Sequence, residues 1–288
     1  MIGVVYNSKG AIKNTTLDKY NFEDTAWINV FSPSKEELDL LEKKTGISMQ
    51  TLNHFLDNQE LSRIEKLKDR DIIILKYLVD KKVRTLGVVK AKNYTMTMCY
   101  ENINIPIDDN ASLKSTDSFM KNLIYNLIKN FSSKLDSIDE EISIIEDVLF
   151  DENSRKDAKR ILHIKKELMY IKKGLNSNKD VIQKMENLDD DLRTEMNEMI
   201  ETENTLSSRI TVVMEIYMTY TSNKLNETMK SFTVIASLLL LPTLIAGIYG
   251  MNLALPLQNA NGSFYIVLGV MLLLMILMVF YFKYKKWV

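Results

Sequence analysis

Five carboxylates, Asp139, Glu140, Glu141, Glu146 and Asp147, lie close enough together along the chain to suggest a metal site. A solvated helix face offset by Lys129, Lys134 and the basic run from Lys156 to Lys166 accounts for them more simply, and they stay unassigned. The two histidines, His54 and His163, are about a hundred residues apart with no cysteine or second histidine beside either, so no zinc pattern forms. Cys99 is the single cysteine and sits in an apolar run; it reads as a small buried hydrophobe with no disulfide to make. No nucleophile and base pairing, phosphate loop or transition-metal cluster emerges, which argues against an enzyme. A different pattern stands near the C-terminal end. Asn226, Met229, Thr233, Ala236 with Ser237, Leu240, Thr243, Gly247 and Gly250 recur at helical spacing, while Phe232, Ile235, Leu238, Leu239 and Ile245 fall mostly off that line. Such a stripe of small and polar side chains can serve close helix packing. It can also line water, and its continuity with a polar segment before it favours that use.

The elements that carry the stripe follow from the distribution of charge. Charged residues make up 26% of the chain, yet none lies between Lys230 and Lys283. Within that gap, residues 231–251 and 264–282 are each long and apolar enough to cross a hydrocarbon core of ~30 Å. The second run has no polar face, which excludes a surface helix of a soluble protein. Lys224 and Lys230 precede the first span, Lys283, Lys285 and Lys286 follow the second, and the link 252–263 is uncharged. The positive-inside rule then puts both termini in the cytoplasm of a multi-pass protein of the cell membrane. Because two spans per chain cannot enclose a pore, a water-lined stripe requires several subunits. The net charge of −1 argues against a surface devoted to nucleic acid, and the start of the chain lacks the basic flank and apolar core of a secretory signal.

Upstream, proline is absent between Asn110 and Leu241 and glycine occurs only at Gly174, so helix is predicted throughout. Breaks at 151–154 and 187–191 divide the stretch into three helices, the last running from about Asp190 to Gly250. At 1.5 Å per residue that is roughly 90 Å, the length of a stalk. Residues 1–110 read as an α/β domain with strands at 26–31, 71–79 and 93–100. Between the first two lies a helix capped by Ser32 with Pro33 at its first position and closed by Gly46. The predicted organisation is therefore an α/β domain at 1–110, a helical coiled stalk at 111–230, a pore-lining span at 231–251, an outer loop at 252–263, a second span at 264–282 and a basic tail at 283–288.

At the outer end of the first span stand Tyr249, Gly250, Met251 and Asn252, and here the chain resembles the CorA magnesium transporter family, the two-span metal transporters that share a Gly-Met-Asn signature. The position of the motif carries the resemblance. It closes the penultimate of two C-terminal spans, follows Ile245, Ala246, Gly247 and Ile248, and is preceded by Asn226, Glu227, Thr228, Met229 and Lys230. Trp27, Ile28 and Asn29, the 37–46 helix, the 63–65 strand and the basic aromatic tail extend it over most of the chain. The resemblance implies a homopentameric funnel, α+β in the cytoplasm and helical in the membrane, that carries Mg²⁺, with Co²⁺ and Ni²⁺ as further cargo. It implies a selectivity ring at Gly250, Met251, Asn252 and Tyr249, pore positions at Asn226, Met229 and Thr243, to which the stripe adds Thr233 and Gly247, and hydrophobic constrictions at Phe232 and Leu240. Lys283, Lys285 and Lys286 would form a basic ring. Regulation in the family uses Mg²⁺ bound between subunits; the matching stalk carboxylate is Asp191, and its partner position holds His54, a poor Mg²⁺ ligand, so either nearby Asp57 substitutes or the inhibitory site is weakened. The outer loop lacks the acidic residue often found there. Alternatives from other classes are a zinc transporter of the ZntB type, which usually varies at the methionine, and a membrane-anchored scaffold that moves no ions.

Overall fold

The structure is a computed structural model describing residues 1–8, 11–79, 82–101, 113–148, 154–252 and 262–287. Residues 253–261 of the outer loop and 151–153 of the first helix break lie outside the described residues. The chain divides into two units, Met1–Met214 and Glu215–Val288, described separately below.

Seven strands form the sheet of the first unit: β1 Ile2–Ser8, β2 Ala11–Thr15, β3 Thr25–Phe31, β4 Arg63–Lys66, β5 Arg70–Val79, β6 Lys82–Ala91 and β7 Tyr94–Cys99. Their order across the sheet is β2-β1-β3-β7-β6-β5-β4, with β3 and β7 parallel and every other neighbour antiparallel. The central strands are buried on both faces, so their side chains read as near-continuous apolar runs. Alternation sends Ala26, Ile28 and Val30 of β3 to one face, where they meet Leu41, Leu52 and Phe55. These last come from α1 Lys35–Thr45 and α2 Met49–Leu56. Trp27 points to the other face, its ring 5.4 Å from that of Phe119 and its Nε1–H donating to Thr97 Oγ1 at 2.8 Å. Each such fully buried large side chain contributes about 1.5–3 kcal/mol.

Helix α1 is capped by Ser34, whose Oγ accepts from Glu37 N while the Glu37 carboxylate accepts from Ser34 N. The expected cap at Ser32 is thus displaced by two residues. Ser32 N still donates to Cys99 O, extending the sheet, so it is not free to begin a helix. Gly46 ends the helix as predicted, at φ 66, where a side chain would be strained.

The second face is covered by α3 Thr116–Asp147 and α4 Ser154–Lys184. In α3 the buried residues Ile124, Ile128, Phe131, Leu135, Ile138, Ile142 and Ile145 recur every three and four positions, and Ile161, Ile164, Leu168, Ile171 and Leu175 of α4 repeat that rhythm. The third helix, α5, is continuous from Asp190 to Tyr249, and within the first unit its residues Met196, Leu206, Ile210 and Val213 are buried. In the second unit the rest of α5 is joined by α6, Ser263–Tyr284. Both helices are long and apolar enough to cross a membrane.

Candidate functional site: a small and polar helix face ending in Gly-Met-Asn

Within the apolar stretch 231–249 of α5, the least exposed residues are Val234, Ser237, Leu238, Leu241, Pro242 and Ile245. Those of α6 are Ser263, Val267, Met271, Leu274, Met275, Met278 and Phe282. Each set recurs every three or four positions, so each helix turns one stripe inward. Asn226, Met229, Thr233, Ala236, Leu240, Thr243, Gly247 and Gly250 are all exposed. At 100° per residue this second stripe of α5 is centred about 150° around the helix from the first. Ser237, read with the stripe in the sequence, falls instead toward the partly covered side. Phe232 is exposed at the margin of the stripe and Leu240 at its middle. Thr233 and Thr243 return their hydroxyls to the backbone, donating to Met229 O at 2.8 Å and Leu239 O at 2.7 Å. Each thereby leaves a hydroxyl oxygen facing outward as an acceptor.

The end of the helix presents the motif. Gly250 N–H closes the last full turn onto Ala246 O at 2.9 Å, and Met251 N–H reaches Ile248 O at 3.2 Å. A methyl group on Gly250 would sit 3.2 Å from Ala246 O, so the glycine keeps the final carbonyls uncrowded. The backbone closes the helix by itself, and the exposed Asn252 amide has no hydrogen-bond partner among the described residues. Tyr249 is 40% exposed. At the other end of the unit, Trp287 N–H returns to Phe282 O and the Trp287 ring stacks on Phe282 at 5.8 Å, leaving Lys283, Lys285 and Lys286 exposed around the turn.

The carboxylates of the first unit behave differently. Asp57 ends α2, its Oδ1 accepting from Gln59 N at 2.9 Å, and it is exposed. Asp191 is exposed in the first turn of α5, where the helix dipole favours its charge. His54 Nδ1 lies 2.9 Å from Glu60 Oε2, and Glu60 also bonds Arg63. Burial acts to raise the Glu60 pKa, but hydrogen bonds from His54 and Arg63 and their charges outweigh it and hold the carboxyl below its ordinary value. Among the described residues no three histidine, cysteine or acidic side chains gather to hold a metal ion. The acidic run on α3 is met by a residue that the sequence reading passes over. Arg209 of α5 pairs with Asp139 and, at 2.5 Å, with Glu146, and takes a bond to Ser143 Oγ. Lys134, expected to offset this run, pairs instead with Glu167 of α4 at 2.9 Å. A signal for Arg209 exists, since it is the one basic residue between Arg193 and Lys224.

The chain is 29% identical to the cobalt/magnesium transport protein CorA of Methanocaldococcus jannaschii, across the full length of both, and 25% identical to that of Thermotoga maritima over 91% of this chain and 83% of the relative. The complete structure of the M. jannaschii CorA magnesium transporter superposes with a TM-score of 0.82 at 26% identity, covering 100% of this chain and 99% of that one. The cytoplasmic domain of ZntB from Vibrio parahaemolyticus shares the fold over 77% of this chain, with a TM-score of 0.63 at 13% identity. The family model described as CorA-like Mg2+ transporter protein matches residues 22–285, and the chain belongs to that family.

Proposed function

We propose that the chain is one subunit of a homopentameric channel that passes Mg²⁺, with Co²⁺ and Ni²⁺ as further cargo, down the electrochemical gradient across the cell membrane. It has no enzymatic step. The observation that carries this reading is the exposed small and polar face of α5, which ends at Gly250, Met251 and Asn252 and lies away from the helix's covered stripe. Five copies with that face turned inward would enclose a water-filled path. At its outer end, neutral amide oxygens of Asn252 and uncrowded backbone carbonyls would hold Mg²⁺ through its tightly bound waters. A carboxylate ring would bind more tightly and release more slowly. Farther in, Leu240 and Phe232 provide apolar rings that close the path by dewetting. A divalent ion gains ~4.6 kcal/mol in crossing 100 mV, twice the single-charge value, so no chemical fuel is needed. The lysines at both cytoplasmic ends support an orientation with both termini inside. Asp191 of one subunit, with Asp57 of its neighbour, is proposed to bind a regulatory Mg²⁺.

The test is flux into liposomes holding a magnesium-sensitive dye. The purified protein is expected to admit Mg²⁺ when an inside-negative potential is applied, and Asn252→Ala to abolish the signal while the oligomer persists. Entry of Zn²⁺ without Mg²⁺ would instead identify a zinc transporter, and flux indifferent to Asn252→Ala would leave only a membrane anchor.

A further inference from the structure

On the first unit, β6 and α4 face each other across a cleft of about 550 Å³, within the range of small-molecule sites. The strand wall is Lys82, Val83 and Arg84; the helix wall is His163, Lys166, Glu167 and Tyr170. Some of this charge is already balanced. Arg84 Nε stands 3.3 Å from Glu101 Oε1, and Glu167 is paired with Lys134 at 2.9 Å, both of those groups nearly buried. Lys82 and Lys166 are not balanced: among the described residues neither has a carboxylate within ion-pairing distance. Two cations brought to one cleft from different elements repel each other until an anion lies between them. The Glu167 oxygens are buried, facing Lys134 and, at 3.4 Å from Oε1, His163 Nε2, so they close the floor of the cleft and offer nothing to a ligand in it. Tyr170, 62% exposed at its edge, offers a flat aromatic face beside Val83.

We propose that this cleft binds a nucleoside phosphate. The phosphate would lie between Lys82 and Lys166 with Arg84 alongside, and the base would stack on Tyr170. The site goes beyond ion conduction and does not depend on it, because every group belongs to the soluble unit. The assignment is of a nucleotide rather than a bare phosphate, since a simple anion would not need the aromatic platform.

Equilibrium dialysis of the full-length protein in detergent against ATP, ADP, pyrophosphate and inorganic phosphate tests it. ATP and ADP are expected to bind saturably at one site per chain. Lys82→Glu and Lys166→Glu, both at exposed positions and so expected to melt with the wild type, should each weaken that binding by at least about tenfold. Tyr170→Ala should weaken the nucleotides and leave pyrophosphate unchanged. Absence of saturable nucleotide binding, or binding unmoved by both charge reversals, would overturn the proposal. Pyrophosphate binding as tightly as ATP would overturn the nucleotide assignment and leave an adventitious anion only.

Discussion

Asn178 shows how one side chain can hold two elements together. It is fully buried on α4, where its Oδ1 accepts from Lys76 N at 2.7 Å and its Nδ2 donates to Lys76 O at 2.7 Å. Strand β4 ends its pairing with β5 at Arg63 opposite Ile74, so the amide takes over as a substitute strand where β4 has stopped. Ser62 joins it, donating Oγ–H to the same Oδ1 at 3.1 Å. Asn178→Ala would leave a buried N–H and C=O unpaired, at about 1–3 kcal/mol each. The expected loss is about 2–4 kcal/mol in urea unfolding, followed by Trp27 fluorescence in a Trp287→Phe background; a loss below about 0.5 kcal/mol would contradict this account. Glu60 sets an acid limit. Its folded pKa lies below its ordinary 4.5, so its contribution is fully present above that value and is lost as pH falls through the folded one. Wild type should therefore lose more stability between pH 7 and pH 3 than Glu60→Gln, and parallel profiles would refute the linkage. The Gly-Met-Asn motif was legible because it is contiguous. Asn178 and Arg209 were not, because their partners lie 102 and 63 to 70 residues away and only the fold chooses them.

The elements differ in how plainly they announce themselves. The 60-residue α5 was read nearly to its ends, since composition without punctuation leaves helix as the single choice and Gly250 marks its close. The strands at β3, β5 and β7 stood out by their β-branched and aromatic runs. Strands β1, β2 and β6 were not singled out. β2 is largely exposed and carries little apolar signal, and β6 is interrupted by Gly87. That interruption has a packing cause. A methyl on Gly87 would lie 2.0 Å from Phe55 Cγ, and Phe55 is the fully buried anchor of α2 on this strand. The strand gives up a side chain so that a helix can dock. Gly87→Ala should displace Phe55 and cost about 1–3 kcal/mol as overpacking. Because His54 and Asp57 ride on the same helix, the variant should also shift their amide resonances, whereas a methyl accommodated without movement would leave them in place.

At the scale of the whole molecule, the proposed function makes half-sites of the exposed carboxylates of the first unit and of the exposed small and polar face of the second, which copies of the chain would complete. In the proposed channel the regulatory Mg²⁺ is shared between subunits. A site of that kind couples ion binding to assembly, since an ion that binds only the closed pentamer stabilises it by mass action. Asp191→Asn removes a carboxylate at an exposed position, where folding has little stake in it. The Mg²⁺ concentration that half-closes the channel should then rise, read as flux against internal Mg²⁺, with the open-state flux unchanged. His54 tests the same arrangement from the other side. It is now occupied with Glu60 and is a poor ligand for a hard cation. His54→Asp should place a carboxylate near Asp57 and lower the half-closing concentration, while its loss of the Glu60 bond shows separately in the unfolding midpoint. If Asp191→Asn leaves the half-closing concentration where it was, the subunits are not joined by a shared ion at this position, and closure must rest on Leu240 and Phe232 without it.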